Sequence, residues 1–111
     1  MATAACLALA ATSAQANFTC SGQVSYLGVN SQDMVYVAVT GFGVWAICKL
    51  GDTWSGVSPN SCKAWYAGLL AAKRADSGVA LYFDSSATGN NGSQCTALGS
   101  WSVSPPYHID L

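Results

Sequence analysis

Cys20, Cys48, Cys62 and Cys95 are the groups in this chain best placed to form covalent links. Their chemistry depends on compartment, since thiols stay reduced or ligate metal in the cytoplasm and pair as disulfides outside it. No two of them have the Cys-x-x-Cys spacing of a zinc site or a thiol oxidoreductase, so no metal and no redox centre is expected. Two disulfides are the simpler reading. Four cysteines allow three pairings. In one of these Cys48 joins Cys62, closing a short loop around Trp54, and Cys20 joins Cys95, tying the first segment to the last. Spacing does not choose among the three.

Acid–base chemistry has few candidates. The single histidine, His108, lies two residues before Asp110. A Ser-His-Asp set would need a serine brought to it by the fold, and no Gly-x-Ser-x-Gly elbow occurs. Paired carboxylates of the glycosidase kind are not evident either. The chain has no Glu, and Asp33, Asp52, Asp76 and Asp84 fall at turns and helix ends. No catalytic residue and no cofactor are assigned. His108 reads as an exposed residue on a sheet edge, and a small hydrolase using it is kept as an alternative.

Aromatic side chains are better candidates for function. Trp54 sits beside Asp52 in a polar Gly/Ser loop, and Tyr107 follows Pro105-Pro106. An aromatic ring in such a setting suits stacking on a sugar or docking on a protein. Trp54, Asp52 and Tyr107 are therefore the expected ligand-binding residues. The competing expectation is Trp54 folded back over the end of the domain. Trp65 and Tyr66 recur at helical spacing with apolar residues and belong to a core face.

The elements that must position these groups follow an alanine-rich leader. Residues 4–11 form an apolar run, and Ala14-Gln15-Ala16 matches the small-x-small cleavage rule. Residues 1–16 thus read as a signal peptide, although no Lys or Arg precedes the apolar run. The mature chain, 17–111, reads as one domain in a secreted or periplasmic setting, with no membrane span left after cleavage. Four basic and five acidic residues give a formal net charge of −1, with no basic stripe, which argues against a nucleic-acid partner.

Along the mature chain, residues 23–29 alternate as a first strand, with Gly28 as a candidate bulge. Residues 34–39 are the clearest strand, and 44–50 a third. There Val44, Ala46, Cys48 and Leu50 share one face, and Trp45, Ile47 and Lys49 the other. Ser58 and Pro59 open a helix as N-cap and first helical residue, and Gly78 is suited to its left-handed C-cap. Its apolar stripe is Cys62, Trp65, Tyr66, Leu69 and Leu70. Residues 79–83 form strand four, 84–94 a flexible Ser/Gly/Asn loop, and 95–103 a last strand carrying Trp101. Pro105-Pro106 interrupts it, and 107–111 returns to a sheet edge. The order β-β-β-α-β-β is mainly β with one helix. It describes a small OB-like barrel with two disulfides, with an open sheet covered by the helix as the runner-up.

The segment Cys62-Lys63-Ala64-Trp65-Tyr66-Ala67-Gly68-Leu69-Leu70, with Ile47-Cys48 before it and Tyr82-Phe83, a late Cys and Trp101 after it, resembles a group of small exported bacterial proteins of unassigned function. A fainter resemblance, in strand order and cysteine placement, is to the B subunits of subtilase-type and pertussis-like AB5 toxins. Those are exported OB-fold proteins that form pentameric rings and bind glycans. The resemblance implies a bacterial exported module with a glycan or protein receptor and a homo-oligomeric state. It carries no binding residue over to this chain. The expected function is a non-enzymatic binding module, with a structural envelope-associated protein as the second alternative.

Overall fold

A computed structural model describes residues 17–85 and 94–111. The expected leader, 1–16, and most of the Ser/Gly/Asn loop lie outside the described residues. The protein is mainly β: one six-stranded sheet, one helix and two disulfides. The strands are β1 (Phe18–Val29), β2 (Met34–Val39), β3 (Val44–Lys49), β4 (Gly78–Phe83), β5 (Ser102–Val103) and β6 (His108–Asp110), with α1 (Pro59–Ala75) between β3 and β4. Their order across the sheet is β5-β3-β2-β1-β4-β6.

β1 is longer than the alternation predicts, because it serves two partners. Its first half pairs antiparallel with β4 and its second half with β2. The strand bends between the two halves. Gly22 allows this: a side chain there would meet Val39 Cγ1 at 2.6 Å, and its φ of +157° favours glycine. The register then shifts between Val24 and Tyr26, so Ser25 is the bulged residue. The bulge expected at Gly28 is not there, since Gly28 pairs in register with Tyr36.

A second shift corrects the faces assigned to β3. Val35 pairs with Cys48 and Tyr36 with Ala46, which leaves Ile47 as an extra residue. Parity reverses across it. Trp45, opposite Val37, and Cys48, opposite Val35, therefore share the core face rather than opposing one another. Trp45, Ile47, Cys48, Cys62, Leu69, Leu81 and Phe83 are fully buried within one cluster.

The helix begins as its sequence predicts. Ser58 Oγ accepts the Ser61 N–H at 3.2 Å, and Pro59 occupies the first turn. Its end differs. Asp76, at φ 56°, takes the left-handed cap position, and Gly78 is already in β4. Aspartate tolerates this region through local hydrogen bonding of its side chain. Cys62, Leu69 and Ala72 are buried, with Trp65 and Tyr66 packed on the core from its rim.

The C-terminal segment differs most from expectation. Cys95–Ala97 is a 3-10 turn, and only Ser102–Val103 is strand, running parallel to β3. After Ser104-Pro105-Pro106-Tyr107 the chain adds β6 to the other edge, antiparallel to β4. Ser104 and Tyr107 still donate their N–H groups to Ala46 and Tyr82 respectively. The two prolines have no N–H to give. The hydrogen-bonded sheet is therefore open between β5 and β6.

Of the possible pairings, Cys20–Cys95 and Cys48–Cys62 are formed. The first spans 75 residues of sequence and the second 14.

Candidate functional site

The loop between β3 and α1 ends in a two-residue hairpin. Trp54 and Val57 exchange both backbone hydrogen bonds, at 3.0 and 2.9 Å, and Ser55 and Gly56 between them have φ of 50° and 82°. Two successive positive φ values make the tight turn whose twist suits paired strands. Cys48–Cys62 closes the chain on either side of this loop. Facing it is the Pro105-Pro106 connection, buried and rigid in φ.

Between them lies a cleft of about 380 Å³, lined by Ser55–Val57, Ser61 and Trp65 on one side and Asp84 and Pro105–Tyr107 on the other. That volume is at the lower end of small-molecule sites. The half-buried Trp65 and the exposed Tyr107 supply its aromatic surface. Tyr107 is held at both ends: its N–H donates to Tyr82 O at 2.9 Å, and its hydroxyl accepts from Asn17 Nδ2 at 3.4 Å. Asp84 is the one charged side chain in the lining, and Ser55 and Ser61 add hydroxyls. Such a wall suits a neutral ligand with several hydroxyl groups and disfavours an anion.

The structure distributes the three expected ligand-binding residues unevenly. Tyr107 lines the cleft. Trp54 and Asp52 do not, although their loop supplies Ser55, Gly56 and Val57. Trp54 is half-buried at the base of the hairpin, neither a fully exposed ring nor part of the main core cluster. Asp52 is exposed. Trp65 belongs to the site as well as to the core rim, a double position that helical periodicity does not reveal. Pro105-Pro106, read from sequence as an interruption, forms a wall.

A second polar group stands beside Tyr107 on the β4–β6 edge. His108 Nε2 and Asp110 Oδ1 are 2.7 Å apart, and Tyr82 Oη donates to Asp110 Oδ2 at 2.8 Å. These donors, His108 first and then Tyr82, hold the Asp110 carboxyl below its ordinary pKa, while the same bond raises the Tyr82 phenol. His108 and Asp110 are exposed, and Tyr82 is half-buried. His108 hydrogen-bonds Asp110 through Nε2, so a nucleophile would have to approach Nδ1. Among the described residues no serine hydroxyl hydrogen-bonds to His108. Nor do three or more His, Cys or Asp residues cluster as metal ligands among them.

No family model, curated protein or solved structure matches the chain.

Proposed function

We propose that the protein is an exported, non-enzymatic glycan-binding module whose ligand enters the cleft between the residue 51–57 loop and the Pro105-Pro106 connection. The observation that carries this reading is the pairing of Trp65 and Tyr107 with Ser55, Ser61 and Asp84 in one recess. A sugar ring has apolar C–H faces for the aromatic walls and hydroxyls for the polar groups. Two disulfides support an oxidising compartment. Among the described residues no helix is long and apolar enough to cross a membrane.

The fold reading that accompanies this proposal is an OB-like barrel. β5 and β6 are then one strand interrupted at the two prolines, joining the outer edges of β3 and β4. Side-chain packing across Ser104–Pro106, all three buried, would complete the closure that hydrogen bonds do not.

A glycan array probed with the oxidised protein, followed by calorimetry on its best hit, tests the reading. Tyr107→Ala removes an exposed ring and should weaken binding about 10-fold, near the upper range for one aromatic contact. Ser61→Trp fills the recess and should abolish binding while the circular dichroism spectrum stays unchanged. Retention of no glycan, or a hit indifferent to both substitutions, overturns the proposal.

A further inference from the structure

The face of the sheet turned away from the core carries an aromatic cluster that no part of the cleft uses. Register puts Tyr26 opposite Ala38, Gly28 opposite Tyr36, and Tyr36 opposite Ala46, while Ala46 also pairs with Val103. Paired residues share a face, so all of these side chains project from the same side. Ala38 and Ala46 are 4% and 2% exposed, yet neither belongs to the main core cluster. Small residues on this face thus lie beneath cover of their own.

Trp101 completes the cluster. Its ring centroid is 5.9 Å from that of Tyr26 and 5.3 Å from that of Tyr36, with the planes inclined at 69° and 58°. Three features hold it there. A Cβ on Gly28 would come within 2.7 Å of Tyr26 Oη, so the missing side chain is what lets the Tyr26 ring lie across its own strand. A Cβ on Gly43 would meet Ser100 Cα at 2.9 Å, so glycine there admits the incoming backbone. Ser100 Oγ accepts the Val44 N–H at 3.2 Å, and the Trp101 N–H donates to Val44 O. The chain then presents the indole from a φ of 62°, a region that a bulky side chain rarely adopts. Despite this arrangement Trp101 is 60% exposed and Tyr26 42%. Backbone strain that leaves a large ring in solvent is characteristic of binding surfaces rather than of packing.

We propose that Tyr26, Tyr36 and Trp101 form a second saccharide-stacking site, separate from the cleft. The ligand class is taken from the reading of the cleft; the residues are not. Charge and size select the occupant. Among the paired positions on this face only Lys49, opposite Met34, is charged, and a single amine is too little to neutralise a phosphate backbone or a run of acidic residues. At their exposures the three rings offer roughly 300 Å² of surface. A stable protein interface needs about 800 Å² from each partner. A neutral sugar fits both limits, setting its C–H face on an indole and its hydroxyls toward solvent.

The test uses the oxidised chain from residue 17, titrated with cellotriose, chitotriose, maltotriose and lactose. The indole N–H resonances of Trp65 and Trp101 are followed separately by NMR. At least one sugar should shift the Trp101 signal saturably. Trp101→Gly should weaken that binding at least 10-fold with melting close to wild type, and Tyr26→Ala should weaken it about 3- to 10-fold. Ser61→Trp should leave it intact. The inference is overturned if none of the four sugars moves the Trp101 signal, or if Trp101→Gly binds as wild type does. It is also overturned if Ser61→Trp abolishes the Trp101 shift, which would place all binding in the cleft. A concentration-dependent Trp101 shift without sugar, with a dimer in sedimentation that Trp101→Gly removes, would make a second copy the occupant instead. Loss of the cleft ligand alone, in Tyr107→Ala, bears on the cleft and not on this surface.

Discussion

The cleft and the outer aromatic face are built in opposite ways. The cleft draws its lining from four separate stretches of chain: the hairpin at Ser55–Val57, the first helical turns, the end of β4 and the Pro-Pro connection. The outer face is written largely in two neighbouring strands, and its one outside contributor is Trp101. One is recessed and includes a carboxylate; the other is open, and its one charged paired residue is Lys49. Each also hangs on a different disulfide. Cys48–Cys62 brackets the hairpin, and Cys20–Cys95 anchors the segment that delivers Trp101 six residues later. The contrast teaches that one small domain can fix a loop-built recess and a strand-built platform independently, provided each has its own covalent tether.

Removing the tethers is the strongest way to break this contrast. In the chain-entropy model the 75-residue separation of Cys20–Cys95 corresponds to about 4.5 kcal/mol and the 14-residue separation of Cys48–Cys62 to about 3 kcal/mol. Against a total stability of roughly 5–15 kcal/mol, either loss is large. Guanidinium melts of the double variants Cys20→Ala/Cys95→Ala and Cys48→Ala/Cys62→Ala should show losses in that order. Cys48→Ala/Cys62→Ala, where it still folds, should lose cleft binding while Trp101 keeps its response to sugar. Equal weakening of both surfaces would show that they are coupled through the core, and the comparison would fail.

Backbone strain at Trp101 offers a smaller but sharper cut. A non-glycine residue in the left-handed region costs about 1–2 kcal/mol, and each aromatic contact of the indole returns about 0.5–1.5 kcal/mol. These nearly cancel, so Trp101→Gly should change stability little. Trp101→Ala loses the contacts and keeps the strain. It should therefore be less stable than Trp101→Gly by about 1 kcal/mol, with both defective at the platform alone. A Trp101→Ala variant as stable as Trp101→Gly would mean that the indole is not held under strain, and the argument that it is displayed for binding would lose its footing.

These expectations also mark where sequence reasoning reached and where it stopped. The helix start at Ser58-Pro59, the strand at Met34–Val39 and the count of disulfides were legible because capping, alternation and cysteine parity are local signals. Side-chain faces on β3 were not, because the bulge at Ile47 reverses parity and depends on the partner strand. The helix end was misplaced by two residues, since both Asp76 and Gly78 suit a left-handed cap and only the strand that follows decides between them. Residues 95–103 carry β-forming side chains, but the chain there must cross to β3 and leaves only Ser102–Val103 for pairing. At the candidate site Tyr107 was legible as an aromatic after two prolines. The role of Trp65 was hidden behind its helical periodicity, and the hairpin turned Trp54 away from the recess that its own loop helps to form. The outer face had a readable signal in the same-parity pairs Tyr26/Gly28 and Tyr36/Ala38. What could not be read was the arrival of Trp101 from more than sixty residues away.

The weakest handle is pH, and it separates the two surfaces by their titratable groups. The strand pairs of the platform face carry no carboxylate or imidazole, and Lys49 is their one amine. The cleft adjoins the Tyr82–His108–Asp110 edge through the Tyr82–Tyr107 ring contact, with centroids 6.2 Å apart. Hydrogen bonds from His108 and Tyr82 lower the Asp110 pKa from 3.8 in the folded state. A depressed folded value contributes stability that is present above the unfolded pKa and is lost as pH falls through the folded one. Wild type should therefore exceed Asp110→Asn slightly in denaturant midpoint at pH 6, and the difference should shrink below about pH 4 and vanish in stronger acid. The solvent exposure of the Asp110 carboxylate keeps the effect small. Tyr82 has the opposite sign: its raised pKa contributes stability that is lost as alkaline pH passes above its ordinary value of 10.0. Sugar affinity at Trp101 should stay flat from pH 6 to pH 4 in both proteins. A platform affinity that followed the Asp110 titration would tie the outer face to the β6 edge, and the two surfaces would have to be treated as one site.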